Sequence, residues 1–302
     1  MLSFSDISID DQEKFKEYIL KYGAEASDIN FTTIYMWAEA LGTKYTEIGN
    51  FICNVARPMK FDPYILPPFG GMNDGDYEKA IKELKSYFDS RGWKLMGRRF
   101  VKKDIEMLRL IGDIKFEAVY THDISDYIYR REDLVSLKGK KYHAKRNHIS
   151  RFLRDNDGAY EYLPMAREHI DDCVELAGIY CSARGGECID CDVCEKNATQ
   201  RVLKKYDELG CSGGVVKLDG SIKAFTLGEM LNEDTAVTHI EKADKQIKGL
   251  YTFINQQFNT HGLPSEAIYI NREEDMGLEG LRKAKQSYHP LRMEEKYLVY
   301  FE

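Results

Sequence analysis

The order of elements predicts an α/β protein of two domains, each a mixed sheet covered by helices. Three observations carry this reading. The 302 residues are enough for two domains of ordinary size. A content of 43% hydrophobic and 31% charged residues is that of a chain that folds. The second half also runs strand, helix, strand, helix, strand, an order that demands a sheet with helices packed on it.

In the first half, Phe15, Tyr18, Ile19 and Tyr22 recur at helical spacing and predict a helix over 10–22. A second helix is expected over 28–41, where Phe31, Ile34, Tyr35 and Ala38 share a face and Ser27 or Asp28 is available as the cap. Strands over 45–48 and 51–55 flank Gly49-Asn50, a hairpin turn. Pro67-Pro68-Phe69-Gly70-Gly71 reads as a loop, short of two backbone donors. A helix led by Asp76 carries Ile81, Leu84, Tyr87 and Phe88 and stops before Gly92. From 93 to 120 short apolar and charged stretches alternate and read as strands, and 123–137 reads as a connector with a turn of helix. The domain boundary is placed near residue 135, giving domains 1–135 and 136–302.

The second half is punctuated more clearly. Residues 213–218 and 221–230 read as an antiparallel pair across Asp219-Gly220. Residues 235–240 form an apolar strand, 241–249 a polar loop, 250–258 a helix, 266–270 a strand, 278–288 a helix and 296–301 a terminal strand.

Composition excludes several classes. No stretch approaches the roughly 18 apolar residues a membrane span needs, and the start lacks the basic and apolar regions of a secretion signal, so a cytoplasmic protein is expected. The net charge of −7 argues against general coating of nucleic acid. There is no Walker loop, no Gly-x-Gly-x-x-Gly and no Gly-x-Ser-x-Gly, which sets aside kinase, dinucleotide-dependent and serine-hydrolase chemistry. The 20 Tyr and 14 Phe suit core packing first, and a cleft or interface second. Seven cysteines without a secretion signal argue against a disulfide scaffold. Cys181, Cys188, Cys191 and Cys194 crowd one segment; they read as free thiols, with a zinc or iron–sulfur site as the alternative, so no metal is expected.

Four segments are candidates for function. Lys245-Gln246-Ile247-Lys248-Gly249-Leu250-Tyr251 opens a helix whose unpaired N–H groups could hold a phosphate; the plainer reading is a solvated helix start. Asn271-Arg272-Glu273-Glu274-Asp275 follows a strand directly, where α/β sheets bind ligands. There Asn271 could fix an amide or hydroxyl, Arg272 grip an anion, and Glu273 or Asp275 hold an ammonium, unless the segment is a loop of salt bridges. On a strand, His239 and Glu241 would point to one face, as a base and its orienting carboxylate or as a packed pair. The run from Lys138 to Arg154 holds seven Lys or Arg and no acid. Its Lys141, Lys145, Arg146 and Arg151 could meet RNA or another polyanion, and the bland alternative is a joining helix paired with acidic surface.

Several of these segments resemble one bacterial family of proteins of unknown function. They are Ser27-Asp-Ile-Asn-Phe-Thr32 with Tyr35-Met-Trp37, Lys145-Arg-Asn-His148, Ala224-Phe-Thr-Leu-Gly228, His239-Ile-Glu-Lys242, Asn271-Arg-Glu-Glu-Asp275 and Gly280-Leu-Arg-Lys-Ala-Lys285. That family is similar to the C-terminal domain of phosphatidylglycerol lysyltransferase. The resemblance spans nearly the whole chain and implies two tandem GNAT-like (GCN5-related N-acetyltransferase) domains, as in Fem transferases that use aminoacyl-tRNA. It implies transfer of an activated acyl or aminoacyl group to an amine, peptide or lipid head-group acceptor, with aminoacyl-tRNA or acyl-CoA as co-substrate and tRNA as a partner. Glu241 or His239 would be the base, while Asn271, Arg272, Glu273, Asp275, Lys285 and Tyr288 would bind substrate. Gln246 and Gly249 match the first and fourth positions of the GNAT pyrophosphate motif, with Lys248 beside them, but Tyr251 stands where that motif has a small residue. An acyl-CoA N-acyltransferase and a non-catalytic binding module for a small amine or RNA are the alternatives.

Overall fold

A computed structural model describes residues 2–24, 26–71, 74–182 and 195–302 of the chain. The fold is mixed α/β with two sheets, and it divides into two compact units. The first is 1–126 with 274–279 and 293–302; the second is 127–273 with 280–292. The chain first crosses at 126/127, earlier than the expected 135, and then returns twice. The returns have a plain cause. The last strand, Tyr297–Phe301, hydrogen-bonds between Met96–Phe100 and Phe116–Tyr120 of the first sheet instead of extending the second.

In chain order the strands of the first unit are β1 (Ser5–Asp6), β2 (Lys44–Ile48), β3 (Phe51–Ala56), β4 (Tyr64–Ile65), β5 (Phe69–Gly70), β6 (Met96–Phe100) and β7 (Phe116–Tyr120). Its helices are α1 (Gln12–Tyr22), α2 (Phe31–Leu41), α3 (Asp74–Ser90) and α4 (Lys102–Leu110). The apolar faces of α3 and α4 meet the sheet in one core that includes Phe51, Ile81, Leu84, Phe88, Phe100 and Leu108. Asn30, not Ser27 or Asp28, caps α2: its side chain accepts from Thr32 N at 2.8 Å and Thr33 N at 3.3 Å. Ser27–Ile29 instead form a short turn of 3-10 helix. The expected loop at 67–71 contains β5, which pairs with β3. α4 lies in a stretch that reads as strands; its start is fixed by the Asp104 carboxylate, which accepts from Val101 N at 2.8 Å.

The second sheet is built from β8 (Asp126–Arg130), β9 (Tyr160–Pro164), β10 (Ser212–Leu218), β11 (Ser221–Met230), β12 (Thr235–Ala243), β13 (Tyr269–Asn271), β14 (Arg292–Glu294) and the helices α5 (Arg131–Ser136), α6 (His143–Asp155), α7 (Ile170–Ser182), α8 (Glu195–Leu203), α9 (Tyr206–Leu209), α10 (Leu250–Gln257) and α11 (Glu279–Gln286) around it. The last strand of the chain, in the first sheet, is β15 (Tyr297–Phe301). The order of the second sheet is β14-β8-β13-β12-β11-β10-β9. β8 occupies the segment that reads as a connector. Asp126 to Tyr129 are buried without alternation, as in an interior strand, and so carry no period-2 signal. α6, the basic segment, packs on α10 through Phe152 and Phe253, whose ring centroids are 4.6 Å apart.

Two irregularities of this sheet shape the site. β12 pairs with β13 in parallel only from Thr235↔Tyr269 to Val237↔Asn271, and then runs on to Ala243 without it. Between Leu227 and Gly228 of β11 the register with β12 also shifts, so Leu227 faces Ile240 and Gly228 faces Thr238. His239 is therefore the extra residue of a β-bulge.

Candidate active site

The bulge separates the two residues expected to act together. Instead of sharing a face, His239 and Glu241 take different partners. The His239 ring is buried, with Nδ1 3.0 Å from Glu273 Oε1 and Nε2 3.0 Å from Glu229 Oε1. Burial alone would lower its pKa, but the hydrogen bonds to Glu229 and Glu273 outweigh that and raise it to about 9. The ring is an imidazolium holding two carboxylates together, with neither nitrogen offering a lone pair to a substrate.

Glu241 instead meets Arg272, where β12 and β13 part. Arg272 Nη2 donates to Glu241 Oε1 at 3.0 Å, and Asn255 of α10 donates to Oε2 at 2.8 Å. The guanidinium stacks on two tyrosines, 4.9 Å from the Tyr288 ring centroid and 5.7 Å from that of Tyr129. Lys145 of α6 lies over the same Tyr288 ring at 3.6 Å. Desolvation and the neighbouring Arg272 charge lower the Lys145 pKa to about 8, against a smaller opposing pull from Glu241. Burial raises the Tyr288 hydroxyl to about 12, so it stays neutral. Two buried polar atoms around Glu241 have no hydrogen-bond partner among the described residues: Arg272 Nη1 and Asn255 Oδ1. Unsatisfied buried groups are rare in folded proteins, and here a donor and an acceptor flank one carboxylate.

The remaining expected residues divide between site, scaffold and surface. Lys285 is buried and donates to the carbonyl oxygens of Arg272 and Glu273, the latter at 2.9 Å, so it holds the loop that carries Arg272. Asn271 does the same from within, accepting from Glu273 N at 2.8 Å, which lets Glu273 adopt a φ of 55°. Asp275 falls in the first unit, where it accepts from Gly277 N at 2.9 Å. Gln246 and Lys248 are exposed, and Tyr251 is half-buried at the start of α10. Gly249 is a glycine for a reason unrelated to pyrophosphate: its φ is 88°, and a Cβ there would stand 2.1 Å from the His148 carbonyl oxygen of α6. In the basic run, Arg146 donates to the carbonyls of Leu137 and Gly139, Arg151 pairs with Asp155 at 3.3 Å and Lys141 with Asp133 at 3.6 Å. Asp133 and Asp155, which flank the run, thus pair with Lys141 and Arg151, while Arg146 meets only carbonyl oxygens. Cys188, Cys191 and Cys194 lie outside the described residues, as does the side chain of Cys181.

Sequence reasoning missed a buried charge network in the first unit. Arg99 forks onto Glu274 at 2.7 and 2.8 Å and also bonds Asp28, while Lys296 meets Asp28 and lies 2.6 Å from Asp126. The carboxylates of Asp28, Asp126 and Glu274 are close enough together to hold a cation, and the Lys296 ammonium and Arg99 guanidinium serve them. Burial raises the Asp28 pKa against the pull of Arg99 and Lys296, consistent with three acids facing two bases. Asp28 and Glu274 both sit in segments that carry the family resemblance, and that was the available signal.

The sequence matches the family described as phosphatidylglycerol lysyltransferase, C-terminal, over residues 21–300. The chain belongs to this family. A conserved protein of unknown function from Bacteroides thetaiotaomicron VPI-5482 is 32% identical over 100% of both chains, with a TM-score of 0.90. L-PGS from Bacillus licheniformis is 17% identical, covering 95% of this chain and 91% of its own, with a TM-score of 0.66. FemX is 11% identical over 100% of this chain and 98% of its own, with a TM-score of 0.61. The last two share the fold, a mixed α/β architecture with two sheets. Among the described residues no helix is long and apolar enough to cross a membrane.

Proposed function

We propose that the protein transfers an activated aminoacyl group, carried as an ester of tRNA, to an amine or hydroxyl acceptor, and that Glu241 and Arg272 form the centre of the site. The observation that carries this reading is the Glu241–Arg272 pair at the parting of β12 and β13, flanked by the unpartnered Arg272 Nη1 and Asn255 Oδ1. A buried cluster of polar groups at strand ends, in a member of the lysyltransferase C-terminal family, suits an acyl transfer by direct attack.

The acceptor nitrogen or oxygen attacks the ester carbonyl carbon, the bond from that carbon to the ribose oxygen breaks, and the acceptor's proton passes to the leaving oxygen. Glu241 is the proposed carrier of that proton. Arg272 and Asn255 each occupy one of its oxygens, yet every carboxylate oxygen keeps a second lone pair. Peptide N–H groups of β12 beyond the last residue paired with β13 are the proposed stabilisers of the oxyanion. His239 is a positioning residue in this scheme, since it clamps Glu273 next to Arg272. Holding an activated ester against its acceptor contributes on the order of 7–11 kcal/mol, so no covalent enzyme intermediate is needed. An aminoacyl ester is preferred to acyl-CoA because Gly249, which would stand for the pyrophosphate motif, is already required by the backbone of α6.

The test is transfer from charged tRNA, with acyl-CoA as a parallel donor, in wild type, Glu241→Gln and Arg272→Ala. The expected result is turnover with the tRNA donor and a loss of about 100-fold or more in Glu241→Gln. Turnover with acyl-CoA alone, or undiminished rates in both folded variants, would reject the proposal.

A further inference from the structure

Two cations of the second unit share one aromatic platform without sharing enough negative charge. Lys145 lies 3.6 Å and Arg272 4.9 Å from the Tyr288 ring centroid. No carboxylate comes within ion-pair distance of Lys145 among the described residues, although its side chain is half-buried. Arg272 spends Nη2 on Glu241 and leaves Nη1 buried without an acceptor. The ionisable groups that act on the pair are Glu241 and the hydroxyls of Tyr288 and Tyr129, and burial raises both hydroxyls so that they stay neutral. Two positive charges therefore face one negative charge, in surroundings where an uncompensated charge is costly.

Two other buried cation clusters among the described residues are matched by carboxylates. In the first unit, Lys296 and Arg99 are matched by three carboxylates. The His239 imidazolium has two. On α6, Arg151 pairs with Asp155.

We infer that Lys145 and Arg272 form a receptor for a single monovalent oxyanion, a phosphodiester or a carboxylate, bound beside Glu241. Lysine offers a mobile point charge at the accessible edge, and arginine a fixed donor behind it, the combination that oxyanions select. The charge count favours a monoanion. One negative charge makes the cluster neutral, whereas a second would be repelled by Glu241. This deepens the transferase reading by naming what part of a substrate the site would hold, but the receptor and the chemistry can be tested apart.

The experiment measures the reactivity of Lys145 in the whole wild-type protein, with no turnover required. Trace labelling of amines by a dilute activated ester is read by mass spectrometry of the Lys145 peptide across a pH series. It is run with dimethyl phosphate, with acetate, and with sodium chloride at matched ionic strength. A bound oxyanion stabilises the protonated amine, so labelling of Lys145 near pH 7, below its pKa of about 8, should slow by about tenfold relative to chloride, one unit of pKa. Lys141, which is exposed on the same segment, should be unaffected and serves as the internal reference. Slowing by dimethyl phosphate alone assigns a phosphodiester, and slowing by acetate alone assigns a carboxylate; both together support the receptor for either source. Equal labelling in all three salts, or equal slowing at Lys141, overturns the inference. A protein that fails to transfer aminoacyl groups but protects Lys145 would lose the transferase proposal and keep the receptor.

Discussion

Gly249 and His148 are held so close that the glycine's missing side chain is the space the neighbouring backbone occupies. A Cβ at 249 would be 2.1 Å from the His148 carbonyl oxygen and 2.9 Å from its carbon, both main-chain atoms of α6. The φ of 88° adds a second penalty for any L side chain. Gly249→Ala should therefore destabilise the protein by about 3 kcal/mol or more, combining the strain of a left-handed residue with displacement of α6. Thermal or denaturant unfolding measures this. A fully stable Gly249→Ala that merely loses affinity for a phosphate ligand would instead give the glycine the role that the pyrophosphate motif suggests.

His239 makes stability depend on pH in a stated direction. Its folded pKa of about 9 lies above its ordinary value of 6.5. The contribution is thus fully present below about pH 6.5 and is lost as pH rises through about 9. It should amount to about 3 kcal/mol, the free-energy equivalent of the rise from 6.5 to about 9 for an imidazolium buried between Glu229 and Glu273. Denaturant unfolding of wild type and His239→Gln should show a gap that is widest near pH 6 and narrows steadily into the alkaline range. A gap that widens with pH would mean that folding releases the proton, with the ring neutral and its folded pKa below 6.5.

The same residue shows where sequence reading succeeds and where it stops. The strand over 235–240 is legible because its run of apolar residues has no other reading, and the helix after it is legible from its periodicity. The partnership of His239 with Glu241 was inferred from strict alternation, which holds only while the register is unbroken. A bulge depends on the opposite strand, here at Leu227/Gly228, and no local pattern in β12 announces it. β8 escapes for a related reason, since an interior strand buried on both faces has no alternation to detect. Arg272 was legible as a candidate because it directly follows an apolar strand, where α/β sheets bind ligands, and the structure pairs it with Glu241. Asn255 was not legible, as it lies on a helix whose polar residues look alike in sequence. The return of the chain to the first unit was not legible, because β15 inserts between β6 and β7, a pairing between segments about two hundred residues apart.

Lys296 carries the last prediction. Its side chain is wholly buried, 2.6 Å from Asp126, bonded to Asp28 and 3.8 Å from Glu274. Burial pulls its pKa down, but the three carboxylates pull it up further, so the amine stays charged. Substituting methionine keeps most of the volume and removes the charge, leaving Arg99 alone against Asp28, Asp126 and Glu274. Breaking a buried ion pair by removing one member costs about 3–5 kcal/mol, mostly through the charges left behind. Lys296→Met should fall in that range. Pairing it with Asp126→Asn should recover part of the loss, because one of the uncompensated carboxylates goes with it. Asp126 also accepts from the Ser27 amide at 3.0 Å and hydroxyl at 2.9 Å, and an asparagine oxygen can keep those bonds. Unfolding measurements on the two single variants and the double variant close the cycle. Additive losses would show that Lys296 and Asp126 do not act as a pair, and would move the weight of the network onto Arg99 and Glu274.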